Sequence, residues 1–509
     1  MTLSGDSQNA SQELVLASLG SGVRGEVKRI DTHASIVFLE PDRVLKIKRA
    51  VRLPFLDFST LEKRKLACKE EIAVNKRHAP NIYRRVVPIT QSADGPEIDG
   101  RGPVIEWAVE MARFDEERTF DHLAAHGELT SELGEALAEV MLASHKTASV
   151  SDGSSWLASI YGIVNRNTTK FRTLASLGHD AVERLHSESC SEMEARFPLM
   201  QQRAATGLVR RCHGDAHLGN IVLIDGRPVL FDAIEFDPAI ATTDLLYDLA
   251  FPIMDLIQFG ERLAANRLFN CYLHATWREN TEAVRLLPLF MSMRAAIRAH
   301  VLFTKCEQST DEANIAAQAR SYFDLALRLI APGRPSLVAI GGRSGTGKST
   351  LARNVAAQLK PEPGAVVLRS DSIRKEIFGV DPLTALPETA YAPDVTAQVY
   401  EVMTERGSKI LKQGLSVILD AAFLREAERS TLPSVVDGSA ATFHSIFLDA
   451  DLAVRVQRIA SRGADASDAT REVAALQETF DLGRLDWPIV NASGSPQDTL
   501  ARVMMHLRN

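Results

Sequence analysis

The sequence predicts mixed α/β and α+β architecture in two successive domains. An antiparallel sheet lobe joined to a helical lobe comes first, and a parallel sheet flanked by helices comes second. Three observations predict it. Short apolar runs broken by turn residues crowd residues 25–47. Apolar residues then recur at helical spacing, as at Leu133, Leu137, Val140 and Met141. Beyond residue 336 an apolar strand runs into a glycine-rich loop and then a helix, the opening of a parallel sheet.

Composition bounds the function before any motif does. The 509 residues, 45% hydrophobic and 24% charged, suffice for two or three ordinary globular domains. A net charge of −7 argues against a dedicated nucleic-acid binder, which usually carries a basic excess. Cys68, Cys190, Cys212, Cys271 and Cys306 are scattered, with no C-x-x-C pair, so neither a zinc site nor a disulfide framework is indicated. They read as reduced thiols of a cytoplasmic protein, Cys212 as a buried structural one. The N-terminus lacks the basic start and long apolar core of a signal peptide. No apolar run approaches membrane-spanning length. The expected partners are small molecules, not nucleic acid or membrane, and the oligomeric state stays open.

Residues 1–20 read as a polar tail leading into a short helix. Residues 25–30, 35–39 and 44–47 read as three strands, with turn residues Asp31-Thr32-His33 and Glu40-Pro41-Asp42-Arg43 between them. Lys46 and Lys48 lie on one face of the third strand because side chains alternate. Lys46 is the first candidate to bind phosphate and Lys48 the alternate, against the plainer role of guarding a sheet edge. A helix over 61–78 ends before Pro80 and carries Glu70 and Glu71. Residues 83–90 and 104–111 continue the sheet. Segments 119–125, 131–145 and a helical region from 155 build the larger lobe, with His145 a packing residue. Helices over 286–305 and 314–329 close this first part.

Residues 211–249 carry the chemistry of the first domain. His213-Gly214-Asp215 is followed by Asn220, which opens an apolar run. Asp225-Gly226 is a two-residue hairpin turn, and Asp232 ends the return strand. Phosphoryl transfer needs these parts: Asp215 to take a proton from the attacking hydroxyl, and Asn220 and Asp232 to hold Mg²⁺ on the phosphates of ATP. The plainer reading is a polar loop beside an ordinary hairpin.

The spacing H-G-D, four residues, N, then Asp resembles the catalytic loop of aminoglycoside phosphotransferases and their protein-kinase-like relatives, over roughly residues 20–330. The resemblance implies a bilobal kinase-like fold with Lys46 at the ATP phosphates and Glu71 as its ion-pair partner. It puts the backbone of 109–111 at adenine. Thr32 to Ser35 would cover ATP, without the G-x-G-x-x-G loop of most protein kinases. Asp248 would be the structural Asp of the family's D-L-A segment, while Asp244 starts a helix. Glu235 and Asp237 read as local loop-bonding carboxylates rather than a second metal contact.

Residues 331–336, with two prolines and a glycine, read as a linker between domains 21–330 and 337–509. A strand over 337–340 precedes Gly342-Arg343-Ser344-Gly345-Thr346-Gly347-Lys348-Ser349-Thr350, a full match to G-x-x-x-x-G-K-S/T. Glycines let backbone N–H groups curl round phosphates, Lys348 reaches the β- and γ-phosphates, and the Ser349 hydroxyl ligates Mg²⁺. A strand over 366–368 ends near Asp371, and a strand over 417–420 ends in Asp420. Carboxylates at such strand ends face the ligand crevice. The pattern resembles P-loop small-molecule kinases and zeta-toxin-like proteins. The resemblance makes Asp371 the acceptor-side base, Arg374 an anion contact and Asp420 a Mg²⁺ ligand. Asp371 as a plain helix cap is the alternative. Arg455, Arg458 and Arg462 share a helix face. There they resemble lid arginines at the ATP phosphates, with Ala464–Ser467 as lid tip.

The chain as a whole resembles bacterial proteins that unite these two parts and are often labelled AAA-family ATPases. A nucleoside-kinase-like second domain is preferred to an AAA ring. The function expected is an ATP-dependent phosphotransferase with two nucleotide sites acting on hydroxyls of small molecules. The alternative is a regulatory ATPase or protein-directed kinase, in which one domain senses nucleotide or restrains a zeta-toxin-like kinase.

Overall fold

A computed structural model of the chain describes residues 5–20, 27–32, 34–53, 56–306, 311–331, 333–461 and 466–507. They form two compact units. The first comprises residues 1–129, 139–163 and 197–255; the second comprises 130–138, 164–196 and 256–509. The fold class is the one the sequence predicts. The linker region 331–336 lies within the second unit, which takes in the helices from residue 256 onward.

A six-stranded antiparallel sheet dominates the first unit. Its order is Lys28–Asp31, Ser35–Leu39, Arg43–Lys48, Val104–Ala112, Tyr83–Ser92 and Gly95–Ile98. Alternation drives Ile36, Phe38, Leu45, Ile47, Val87, Ile89 and Ala108 into one buried layer. Residues Gly5–Gly20 form a helix, longer than the tail and short helix the sequence suggests. Val15 and Leu16 join the sheet's core. Gln12 Nε2 donates to Lys48 O at 2.9 Å and to Glu106 Oε2 at 2.6 Å. The helix's larger apolar residues, Leu14, Val15, Leu16 and Leu19, all lie in its second half and give too weak a period to announce the whole helix; burial of Val15 and Leu16 against the sheet holds it.

On the other face lies the helix Leu61–Asn75, capped by Thr60, whose hydroxyl accepts from Lys63 N. Cys68 packs there with Ile82, Tyr83, Val109 and Val222. Ile221–Ile224 and Arg227–Leu230 pair as the expected hairpin. Asp225 (φ 50°) and Gly226 (φ 75°) are both left-handed, the geometry that matches the twist of adjoining strands. Asp244 ends a short strand paired with Val209–Arg211. It still caps the helix Leu245–Gln258, accepting from Leu246 N at 2.7 Å, and its carboxylate grips Arg203 at 2.6 and 2.9 Å.

The second unit holds a five-stranded parallel sheet of order Val366–Arg369, Val417–Asp420, Ser336–Gly342, Thr442–Asp449 and Ile489–Asn491. Val338, Ile340, Ile418, Ile446 and Leu448 are buried in it, with Leu351 and Val355 of the helix Lys348–Ala356 packed above. Continuous apolar runs are what a sheet covered on both faces requires. The helical run Trp277–Cys306 corrects the sequence reading, because it is long and apolar enough to cross a membrane by length and composition. About 67% of its most apolar stretch is buried inside the protein.

Candidate active sites

In the first unit the chemistry converges on two lysines. Lys46 and Lys48 project from one face of their strand toward Glu71, which is fully buried on the helix Leu61–Asn75. Lys46 Nζ lies 2.8 Å from Glu71 Oε1 and 2.5 Å from Asp232 Oδ1. Lys48 Nζ lies 2.6 Å from Glu71 Oε2 and pairs with Glu235 on its other side. The strand thus presents two ammonium groups to one carboxylate, and each holds a second acid from the loop after the hairpin.

Burial alone would raise the Glu71 carboxyl, but the two lysines outweigh it and hold it below its usual range. Burial would likewise lower Lys46, yet Asp232 and Glu71 raise it well above the ordinary lysine value. Glu235 is a correction: it is buried and bonds Lys48, not its own loop. Burial pushes its carboxyl up, with Lys48 opposing.

Asp232 sits at φ 59°, a backbone strain tolerated by Asp. Its neighbours hold it there: Tyr83 Oη accepts from Asp232 N at 3.0 Å, and Asn75 Oδ1 accepts from Ala233 N at 2.8 Å. Partial burial would raise the Asp232 carboxyl, but Lys46 keeps it below its usual range. Its side chain is 43% exposed, so the carboxylate also faces the cleft.

The catalytic-type loop is set by α-helical carboxylates. Asp248 Oδ1 accepts from Gly214 N at 2.9 Å, and its Oδ2 lies 3.1 Å from His145 Nε2. Asp255 accepts from Leu218 N at 2.9 Å. Gly214 (φ 83°) is needed, since a Cβ there would sit 3.1 Å from Ala241 Cα. His213 Nε2 bonds Phe231 O at 2.9 Å, tying the loop to the end of the hairpin. Asn220 Nδ2 donates to Asp215 O at 2.9 Å and to Asp215 Oδ2 at 3.2 Å. Asp215 is 41% exposed, and His217 Nε2 lies 3.7 Å from its Oδ2. His145 and Cys212 are buried beside Asp248, where the hydrogen bonds make them packing residues, as expected.

In the second unit a cleft of about 1030 Å³ opens over the glycine-rich loop, with Lys348, Ser349, Asp371, Asp420, Arg374 and Arg458 on its walls. Gly345 (φ 84°) lets the loop curl, because a Cβ there would lie 2.7 Å from Arg455 O. Lys348 opens the helix Lys348–Ala356, and its Nζ donates to Arg343 O at 3.0 Å. Burial lowers the Lys348 ammonium, with Asp420 and Asp371 opposing. Asp420 is buried at its strand end and paired with Arg369 at 3.4 Å. Asp371 lies in the first turn of the helix Ser370–Ile377, inside the helix rather than at its cap. Burial pushes its carboxyl up, with Asp420 adding and Arg369 opposing.

The arginines divide. Arg455 is fully buried and works on backbone and loop, with Nε on Ala450 O at 3.0 Å, Nη1 on Ser344 O at 3.2 Å and Nη2 on Glu478. It is a structural clamp, not a phosphate contact. Arg458 reaches Gly494 O at 2.7 Å and Thr346 O at 3.5 Å. Arg462, Ala464 and the rest of 462–465 lie outside the described residues. Arg374 stacks 4.7 Å from the Tyr391 ring and donates to Ala390 O at 2.5 Å. Two groups had no sequence signal. Gln477 Oε1 accepts from Ser344 N at 2.7 Å, and Asp468 gathers Lys375 at 2.7 Å and Tyr391 Oη at 2.6 Å. Both depend on segments brought together only by folding.

Residues 65–279 match the family described as "Phosphotransferase enzyme family", and residues 337–481 match one described as "AAA domain". The two matched segments follow one another along the chain without overlap. Asp215, Asn220 and Asp232 fall in the first segment, and the glycine-rich loop, Asp371 and Asp420 in the second. The uncharacterized protein Rv2004c of Mycobacterium tuberculosis is 27% identical over 470 residues, covering 90% of this chain and 91% of that protein. Among solved structures, a choline/ethanolamine kinase family protein from Mesorhizobium loti matches at 12% identity and TM-score 0.37, covering 64% of this chain and 98% of that one. A gluconokinase from Sinorhizobium meliloti 1021 matches at 19% identity and TM-score 0.25, covering 35% of this chain and 94% of that one.

Proposed function

We propose that the protein is an ATP-dependent phosphotransferase with two nucleotide sites, each moving the γ-phosphate of ATP to a hydroxyl of a small molecule. The functional modules are taken as residues 21–330 and 337–509, joined by 331–336. The observation that carries the reading is the first site's ion-pair set, Lys46 with Glu71 and Asp232, with Asp232 next to Phe231, whose N–H donates to Asn220 O at 3.0 Å and whose carbonyl bonds His213 Nε2 at 2.9 Å. A strand lysine paired with a helix glutamate is the arrangement kinase-like phosphoryl transfer uses.

Both sites fit a hard divalent cation such as Mg²⁺, because the groups aimed into them are oxygen donors. Asn220 spends its Nδ2 on Asp215 and has its Oδ1 to offer, and Asp232 is half-exposed. In the second site Ser349 and Asp420 would hold it. When bound, the ion neutralises charge on the phosphates. Lys46 would bind the ATP phosphates in the first site; Lys348, with the backbone N–H groups of Gly345, Gly347 and Thr350, would do so in the second, and Arg458 would add charge at the rim. Asp215 would take the proton of the acceptor hydroxyl as its oxygen attacks the γ-phosphorus and the bond to ADP breaks. Asp371, whose carboxyl is already pushed up, would do the same in the second site. Arg374 would contact an anionic group of that acceptor. Its location is proposed to be the cytoplasm.

The test is a metabolite-extract phosphorylation screen with labelled ATP on the intact protein, Asp215→Asn and Lys348→Ala. Labelled small molecules that vanish with one variant each are the expected result. Label found only on protein in every arm would contradict it.

A further inference from the structure

Among the described residues the strand Val366–Arg369 is the edge of the parallel sheet, so one side of it carries backbone groups that no described strand pairs. A helix supplies the partners. Asn266 and Asn270, one turn apart on Arg262–Ala275, are both buried. Asn270 Oδ1 accepts from Val367 N at 2.8 Å, and Asn270 Nδ2 donates to Ala365 O at 3.0 Å. Asn266 Nδ2 donates to Ala365 O at 3.0 Å and to Pro363 O at 3.1 Å. The amides also brace each other, since Asn270 Nδ2 lies 3.1 Å from Asn266 Oδ1. Gly364 makes the approach possible, because a Cβ there would sit 2.8 Å from Asn266 Nδ2. Beyond this helix Trp277 lies 4.9 Å from the guanidinium of Arg406. Arg406 in turn grips Glu376 at 2.7 Å through both nitrogens.

The contacts lead toward the second site. Two residues beyond Val367, Arg369 pairs with Asp420; two further on stands Asp371. Glu376 lies in the last turn of the helix Ser370–Ile377, whose first turn holds Asp371. Yet Asn266, Asn270 and Trp277 all fall inside the phosphotransferase-family match, 65–279. A buried amide that satisfies a strand N–H and the carbonyl just before the strand is costly to remove, since each orphaned group loses its partner without regaining water.

We infer that the helix Arg262–Ala275 is the edge clasp of the second sheet, and that Asn266 and Asn270 are positioning residues for Asp371. The AAA-domain segment is therefore complete only with a helix from the other family's segment. The Asp371 part rests on the proposed catalytic role of that residue; the clasp does not.

The test uses the full chain. In Asn270→Ala, hydrogen exchange at the Val367 amide rises about tenfold, the factor expected for one lost buried hydrogen bond, while the hairpin at 221–230 is unchanged. Phosphate release from ATP, with water as acceptor and read as the Lys348-dependent part, falls about tenfold in kcat with KM for ATP within about twofold. Should that variant fold poorly, Asn266→Ala gives a smaller rise at Val367, about threefold, because it removes the brace and the bonds to Ala365 O and Pro363 O but leaves the Asn270–Val367 bond in place. Unchanged exchange at Val367 in either folded variant overturns the clasp. Raised exchange with unchanged kcat overturns the positioning role. If the unmodified protein shows no Lys348-dependent release, the catalytic reading fails and the exchange result alone decides the clasp.

Discussion

Replacing Lys348 with alanine is expected to cut ATP turnover at the second site by about a hundredfold or more, the scale of losing one charged donor to a phosphate in a preorganised site. Lys348 is the first residue of its helix, where the N-terminus already favours anions. Burial lowers its ammonium, with the fields of Asp420 and Asp371 opposing, and its Nζ donates to Arg343 O at 3.0 Å. Arg455 cannot take over, because the loop and Glu478 occupy it. The measurement is phosphate release by the full chain carrying Asp215→Asn, with and without the lysine change. Turnover within about threefold of the lysine-containing protein would contradict the role.

Asp215→Asn and Asp232→Ala are expected to fail differently. Asparagine keeps an oxygen for Asn220 Nδ2 but cannot take a proton. Transfer by the first site should fall about 10²- to 10⁴-fold, with ATP affinity within about twofold. Removing Asp232 instead takes a carboxylate from the cation and strips Lys46 of one of its two acids. Mg²⁺-dependent ATP affinity should then weaken about tenfold or more. Both are measured in a Lys348→Ala background, by nucleotide titration and by label transfer. Matching effects of the two changes would contradict the division of labour between base and ligand.

The local parts of this protein were legible. The hairpin turn at Asp225-Gly226 and the strand, loop and helix around Lys348 are written in adjacent residues, and their geometry follows from backbone rules. The choice between Lys46 and Lys48 was not, because alternation puts both on one face. What separates them is the partner, Asp232 for one and Glu235 for the other, each more than 180 residues away in sequence. Glu235 read as a loop residue for the same reason. Arg455 shares its helix spacing with Arg458, and only the fold shows that one is buried in the clamp while the other reaches the rim. Asn266 and Asn270 carry no motif at all; a buried amide paired to a strand edge looks, in sequence, like any polar residue on a helix.

The protein is proposed to hold two separate nucleotide pockets on one polypeptide. Calorimetric titration of the intact protein with a non-hydrolysable ATP analogue and Mg²⁺ addresses it most directly. Two bound nucleotides per chain are expected, one weakened about tenfold or more in Lys348→Ala, the other in Asp232→Ala, and both in the double variant. A single bound nucleotide in the intact protein, or loss of both on either single change, would contradict it.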